Sequence, residues 1–279
     1  MNRHKAISDP STKLSRWSSQ TIQWISLPLI LFLAIPILVL LASIPPKQIL
    51  TDVGRPEVLT AILISLKTTT ISLLLTILFG TPLAYLMAKF EFPLKRALDA
   101  LIDLPTVLPP LVAGVALLLA FGRGGIIGGL LGRLGISLAF TQSAVVMAQI
   151  FISAPFYIRA ASLGFASVDH ELEQACQLDG ANRWQTFRYI ILPLSRPALI
   201  SGAVMSWARA LGEFGATIIF AGNFPGQTQT MPLAIYMGFE LNINTALTLS
   251  VILVGLSFVS LLIIKGILVK PVQSVSFPK

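Results

Sequence analysis

The chain has 279 residues, of which 54% are hydrophobic and only 11% are charged, and its mean hydropathy is +0.81. Because soluble domains carry about 25% charged residues, this composition excludes an ordinary soluble protein and indicates an integral membrane protein. The formal net charge of +8 does not require a nucleic-acid partner, and we expect none. In a membrane protein, positive residues set the orientation of the chain in the bilayer and contact anionic lipid.

Six apolar stretches are long enough to cross a membrane, since a spanning helix needs about 20 residues. They comprise residues 22–44, 59–87, 104–122, 141–165, 198–221 and 245–268. The first follows a basic segment, but its apolar part exceeds the roughly 7–15 residues of a signal peptide, so we predict a retained helix. The sequence therefore predicts an all-α integral membrane protein with six transmembrane helices.

Three prolines interrupt the beginning of the third stretch, at positions 105, 109 and 110. A helix that starts at Pro109 would leave free N–H groups at its positive end, which suits an anion. Prolines also simply begin helices, and the sequence favours that simpler explanation. Pro109 and Pro110 are therefore tentative residues of a translocation pathway or gate.

No set of residues in the sequence resembles an enzyme active site. The glycine-rich segment 122–135 is not followed by Gly-Lys-Ser/Thr, which excludes a phosphate-binding loop, and we predict a loop or a short re-entrant turn there. His4 and His170 lie outside the spans without metal-ligand spacing, and the single Cys176 excludes an internal disulfide. Acid–base pairs occur in the loops, where we expect them to be solvated. We expect no catalytic residue, no metal and no cofactor in this chain.

The longest charge-rich passage after the N-terminal tail spans residues 169–197. Helical spacing predicts two short amphipathic helices there, each with an apolar stripe. These stripes comprise Leu172, Ala175 and Cys176 on the first helix and Trp184, Phe187 and Ile191 on the second. Gly180 follows the first helix, where a left-handed cap needs no side chain. Pro193 and Pro197 are predicted to end the second helix.

The fifth apolar stretch contains Glu213, which is the one acidic residue that we place inside a span, four positions after Arg209. This spacing puts both side chains on one helix face, where they can neutralise each other. Two roles remain open, a buried ion pair that holds the helix packing and a direct part in the pathway. Gly212 and Gly215 would allow another helix to approach closely. Arg209, Glu213, Gly215 and Thr217 are therefore tentative residues of a translocation pathway or gate.

The distribution of Lys and Arg predicts the orientation of the chain. Fourteen of them lie in the N-terminal tail, in the second connection, around the stretch 169–197 and near the C-terminus, whereas four lie in the connections on the opposite side. The positive-inside rule therefore places both termini and the stretch 169–197 in the cytoplasm.

The sequence Glu173-Gln174-Ala175, then Gly180 and, after nine intervening residues, Ile190-Ile191-Leu192-Pro193, resembles the EAA coupling loop of ABC importer permeases. Gln174 stands where that motif has its first alanine. In the family, this loop is a helix-turn-helix that docks into a groove on a cytoplasmic ATPase subunit. The resemblance implies that the following residues couple this chain to an ATPase: Glu173, Ala175, Gly180, Ile190, Leu192 and Pro193.

Two further runs, ALGEFGAT at 210–217 and NFPGQTQTMPLAIY at 223–236, resemble the molybdate branch of the sulfate/molybdate permeases. The resemblance implies a type I (MetI-like) permease fold that imports a tetrahedral oxyanion, molybdate first, with sulfate, thiosulfate or tungstate as alternatives. The implied division is a cytoplasmic tail at 1–21, a first helix and external link at 22–56, a permease core at 57–268 and a cytoplasmic tail at 269–279.

The same resemblance implies the partners and the location. We expect a homodimer in the bacterial inner membrane, two cytoplasmic ABC ATPase subunits that bind ATP and Mg, and an extracytoplasmic oxyanion-binding protein.

Two other classes of protein were weighed against this interpretation. An ion-coupled secondary transporter would need an ion site within the bilayer and often has inverted repeats. Here the charge of Glu213 can already be neutralised by Arg209, which leaves no free acid for an ion site in the spans, and no internal repeat is visible. A membrane enzyme would need clustered His, Asp or Ser side chains near one interface, and the sequence contains no such cluster.

Overall fold

The computed structural model describes residues 10–268, and the side chains within residues 24–266. This part of the chain is helical and contains no strand. The helices are α1 Pro10–Ala42, α2 Pro46–Val53, α3 Pro56–Lys89, α4 Lys95–Val107, α5 Pro110–Phe121, α6 Ile126–Arg133, α7 Gln142–Ala166, α8 His170–Leu178, α9 Arg183–Thr186, a π turn Phe187–Ile191, α10 Leu192–Leu211, α11 Gly215–Phe220, α12 Met231–Leu241 and α13 Ile243–Leu268. The predicted tails at 1–21 and 269–279 lie partly or wholly outside the described residues.

Five helical segments are long and apolar enough to cross a membrane. They are the apolar part of α1 (Trp24–Ala42), α3, α7, the segment Arg183–Leu211 and α13 up to Gly266. A sixth span results if the bent pair α4 and α5 is counted as one, and these two helices meet at 117°. The predicted all-α membrane fold is thereby confirmed.

The third predicted span, 104–122, is divided between two helices, and the helix start that the sequence offered at the prolines is confirmed, with Pro109 as the N-cap of α5. The chain breaks at Leu108, which has extended dihedrals (φ −66°, ψ 136°), and α5 begins anew at Pro110. The cause is local, because Pro109 disfavours the helical conformation at Leu108, and two consecutive prolines lack the N–H groups of a continuing helix. The preceding polar connection forms the amphipathic helix α4, which the sequence did not predict.

The fifth predicted span, 198–221, is wrong in its bounds. Helix α10 ends at Leu211, residues 212–214 form a break, and the short helix α11 follows. Glu213 stabilises this break, because its carboxylate accepts a hydrogen bond from the N–H of Ala216 (2.8 Å) in the first turn of α11.

Pro193 and Pro197 do not end the second helix of the stretch 169–197. Helix α9 continues through the π turn into α10, and the N–H of Leu192 donates to the carbonyl of Phe187, five residues earlier. Pro193 follows the π turn directly as the second residue of α10, so its missing N–H falls inside a continuous helical segment. Pro197 lies inside a membrane helix, where neighbouring groups compensate for the lost bond.

Helix α7 lies at the centre of the fold and packs along α3 and α10. Glycines allow its close approach to α10, because a Cβ added to Gly164 would lie 2.5 Å from the Cβ of Ala198, and one on Gly202 would lie 2.7 Å from that of Ala160. By contrast, the side chains of the apolar part of α1 are largely exposed.

Candidate functional site

The stretch 169–197 begins with a capped helix. The side chain of Asp169 accepts a hydrogen bond from the N–H of Glu171 (2.9 Å), which satisfies one free donor at the start of α8. The acidic residues of the first turn lie at the positive end of the helix, where its dipole stabilises them.

Helix α8 ends in the turn that the sequence predicted. Gly180 has φ +88°, its N–H donates to Gln177, and the N–H of Ala181 donates to Cys176 (3.0 Å). This pattern is a Schellman cap, which needs a left-handed residue at the position of Gly180. A Cβ there would meet no atom within 4 Å, so the requirement is one of backbone conformation and not of space within this chain.

The second helix begins with a capping box. Asn182 accepts from the N–H of Gln185 (2.9 Å), and the Gln185 side chain accepts from the N–H of Asn182 (2.8 Å). Trp184 stacks on Phe187, with ring centroids 5.7 Å apart. The predicted helix-turn-helix is therefore confirmed as a local structure.

The two helices present apolar side chains outward. The exposed apolar residues of segment 170–191, which we call the coupling surface after the loop that this segment resembles, are Leu172, Ala175, Leu178, Trp184 and Tyr189. Of the other residues that the resemblance assigned, Gly180 is exposed, while Ile190, Leu192 and Pro193 are half-buried. An exposed apolar surface of this kind is suited to a protein partner.

Glu173 points inward and not toward the coupling surface. Its carboxylate forms an ion pair with the ammonium group of Lys89, which also donates to the carbonyl of Val168 (3.3 Å). Both side chains are largely buried, so the expectation of solvated pairs in the loops is wrong here. Lys89 was not predicted as a functional residue, and its position at the end of a span was the one signal in the sequence.

A second ion cluster, which was not predicted from the sequence, joins α4 to α7. The Nε atom of Arg159 lies 2.7 Å from Asp103, and a terminal nitrogen lies 2.5 Å from Asp99. The two carboxylates are four residues apart on α4, so they share one helix face and can bind one guanidinium group together.

The predicted pair Arg209–Glu213 forms, although the two residues do not share a continuous helix. The closest atoms are 3.0 Å apart, and Glu213 is 1% exposed, whereas Arg209 is 33% exposed. Because Glu213 also caps α11, its carboxylate both neutralises a charge and stabilises the helix break.

The two helix breaks meet in space. A Cβ added to Gly215 would lie 2.7 Å from the Cβ of Pro110, and one on Gly114 would lie 2.9 Å from the carbonyl oxygen of Ala216. Helices α5 and α11 therefore pack with almost no side chain between them. Thr217 lies on this buried side, and its hydroxyl has no partner among the described residues.

The tentative pathway residues thus come together from two stretches that are about a hundred positions apart in the sequence. Pro109 and Pro110 are exposed at the start of α5, and Gly215 and Thr217 are buried at the start of α11. A discontinuous helix pair is an arrangement that membrane transporters use to present backbone groups to a substrate.

Comparison with known proteins decides the family. Residues 80–272 match the model of the family described as "Binding-protein-dependent transport system inner membrane component". The chain belongs to this family. It is therefore a permease, a multi-pass membrane protein that serves transport and not an enzyme.

Relatives of the permease are similar over most of its length. It is 35% identical over 279 aligned residues to the probable transport system permease protein NifC of Clostridium pasteurianum, covering 95% of this chain and 98% of that protein. It is 43% identical over 219 residues to the molybdenum transport system permease protein ModB of Escherichia coli K12, covering 77% and 94%.

A solved structure shows the same fold. The permease superposes on a chain of a bacterial ABC transporter involved in the import of the acidic polysaccharide alginate with a TM-score of 0.71, covering 91% of this chain and 96% of the other. At 17% identity, this likeness concerns the fold alone. It confirms the predicted type I importer architecture.

Proposed function

We propose that the permease is the membrane subunit of an ATP-driven importer that moves a tetrahedral oxyanion, with molybdate as the first candidate. The observation that carries this proposal is the likeness to a molybdenum transport permease along nearly the whole of that relative. The run ALGEFGAT, which pointed to the same branch, forms the break between α10 and α11 beside the start of α5. The residues that resemble the molybdate branch are therefore also the residues that form this helix break.

The proposed assembly contains two copies of the permease, two cytoplasmic ATPase subunits that bind ATP and Mg, and an extracytoplasmic protein that delivers the oxyanion. The coupling surface supports an ATPase partner, because its apolar side chains are exposed in this chain and are presented by two well-capped helices. The ATPase subunits hydrolyse ATP. The permease supplies the path for the oxyanion and the surface that binds the ATPase.

The path must avoid placing a bare dianion in hydrocarbon, which is prohibitively costly. Arg209 offers positive charge, and polar groups come from the first turn of α5 after Pro109 and from the hydroxyl of Thr217, which has no partner among the described residues. Because Glu213 cancels most of the charge of Arg209, these groups attract an oxyanion weakly and permit its release. Tight selection then belongs to the delivery protein.

Uptake by a reconstituted complex tests this proposal. Permease, ATPase and delivery protein in liposomes should take up molybdate only with ATP inside, and unlabelled tungstate or sulfate should be added as competitors. Stronger competition by sulfate or tungstate than by molybdate would reassign the substrate within the oxyanions. Uptake driven by an ion gradient through the permease alone would instead identify a secondary transporter and overturn the proposal.

The proposed orientation places both termini and the coupling surface in the cytoplasm. In a Cys176→Ser background, Gln227→Cys in the loop after α11 should react with a membrane-impermeant maleimide added outside right-side-out vesicles. Gln177→Cys on α8 is the matched control, since both glutamines are exposed, and it should react only after the vesicles are opened. Reaction of Gln227→Cys only after opening would reverse the topology.

A further inference from the structure

A buried ion pair joins the end of a membrane span to the first of the two coupling helices. Lys89 is the last residue of α3, and Glu173 lies in the first turn of α8. Their side chains are 15% and 10% exposed, and the Lys89 ammonium group also donates to the carbonyl of Val168, just before α8. Lys89 therefore binds both a side chain of α8 and the backbone of the residue that precedes this helix by two positions.

Little else holds α8 against the membrane spans. Within the described residues, α8 has few close neighbours, of which the adjacent helix α9 is the main one, and Leu172 and Leu178 are exposed. A cavity of about 590 Å³ lies beside α8, and its lining includes Tyr85, Ala166 and the Lys89–Glu173 pair itself. The Lys89–Glu173 pair is the one ionic contact between α3 and α8 within the described residues.

We propose that Lys89 is a positioning residue that transmits movement of α8 to α3. A displacement of α8 by a bound ATPase would act through Glu173 on Lys89 and thus on α3, which packs along α7 and α10. A buried pair is suited to this role, because low solvent access strengthens the attraction and separating the charges leaves each one uncompensated. The proposal rests on the proposed ATP-driven function.

This assignment changes the role of the family's glutamate in this chain. The resemblance assigned Glu173 to the loop that meets the ATPase, and in this chain its carboxylate pairs with Lys89. The chain also provides a matched control, because Lys95 pairs with Glu91 at 2.7 Å on the same cytoplasmic side. That pair is local, four residues apart, its glutamate is 89% exposed, and it does not touch α8.

The first experiment uses the permease alone in lipid nanodiscs. Lys89→Met, with Lys89→Gln as a second variant in case Met prevents insertion, should raise the hydrogen-exchange rate of the α8 amides by about fivefold or more. Lys95→Met should leave those rates unchanged. Unchanged α8 exchange in the Lys89 variants would overturn the proposed connection, whatever the complete complex transports.

The second experiment measures oxyanion moved per ATP hydrolysed by the complete complex. Lys89→Met and Glu173→Gln should each lower this ratio by about fivefold or more while ATP hydrolysis continues, and Lys95→Met should not lower it. Exchanging the charges, Lys89→Glu with Glu173→Lys, should restore the ratio in part.

A purely structural role predicts a different result for the neutral double variant, Lys89→Met with Glu173→Gln. Removing both charges should restore the melting temperature, because no buried charge is left unpaired. If the transport ratio returned together with the melting temperature, the pair would serve stability only and the inference would be wrong. Failure of the wild-type complex to move any oxyanion would contradict the proposed function, and the exchange experiment would still decide the connection.

Discussion

Replacing Arg209 with methionine is expected to lower the free energy of unfolding by about 3 kcal/mol and to abolish most transport. The change leaves the carboxylate of Glu213, which is 1% exposed, without its partner, and uncompensated buried charges typically cost 3–5 kcal/mol. We take the lower end because Arg209 is one-third exposed, so water reaches part of the pair. Thermal unfolding in detergent and uptake by the reconstituted complex measure the two effects.

The partner variants separate packing from transport. Glu213→Gln should be milder than Arg209→Met, because the remaining arginine reaches water and the glutamine oxygen can still accept from the N–H of Ala216. The double variant should recover the folded protein and part of the uptake, since neither charge is then left alone. A double variant that assembles normally with its ATPase but moves no molybdate would assign the pair to the pathway itself.

Replacing Gly114 with valine is expected to prevent close packing of α5 on α11 and to reduce uptake by about tenfold or more, because overpacking a close helix contact costs at least 1–3 kcal/mol. A Cβ at this position would lie 2.9 Å from the carbonyl oxygen of Ala216 and 2.9 Å from the Cβ of Ile219. Neither is the free end of a flexible side chain, so the two helices themselves must separate. The break at Glu213 would move with α11.

Gly255→Val in α13 is the matched control for this substitution. It makes the same change inside a membrane helix, but a Cβ there meets no atom within 4 Å. We expect a nearly unchanged melting temperature and normal uptake for this variant. Equal losses in both variants would show that valine harms a membrane helix by itself, and the close contact between α5 and α11 would not be the reason.

Much of the architecture follows from the sequence, because hydrophobic length and the positions of charges act locally. Spans 59–87 and 141–165 differ from α3 and α7 by only a few residues at each end. The turn at Gly180 was predicted for a similar reason, since a left-handed cap depends on a few consecutive residues. The pair Arg209–Glu213 was also predicted correctly from its spacing, because four positions bring two long side chains together even where the helix ends between them.

Only the tertiary structure decided where the fifth span breaks and which distant residues meet. The sequence predicted one helix over 198–221 despite the two charges within it, whereas the backbone breaks at residues 212–214. At this break, the carboxylate of Glu213 accepts a hydrogen bond from the N–H of Ala216, in the first turn of the new helix. The break at Leu108, by contrast, follows from the proline next to it. Lys89 could not be assigned to Glu173 from the sequence, because 84 positions separate them and their contact depends on how α8 folds back beneath α3. Contacts of this kind are set by packing of the whole chain, which local spacing does not encode.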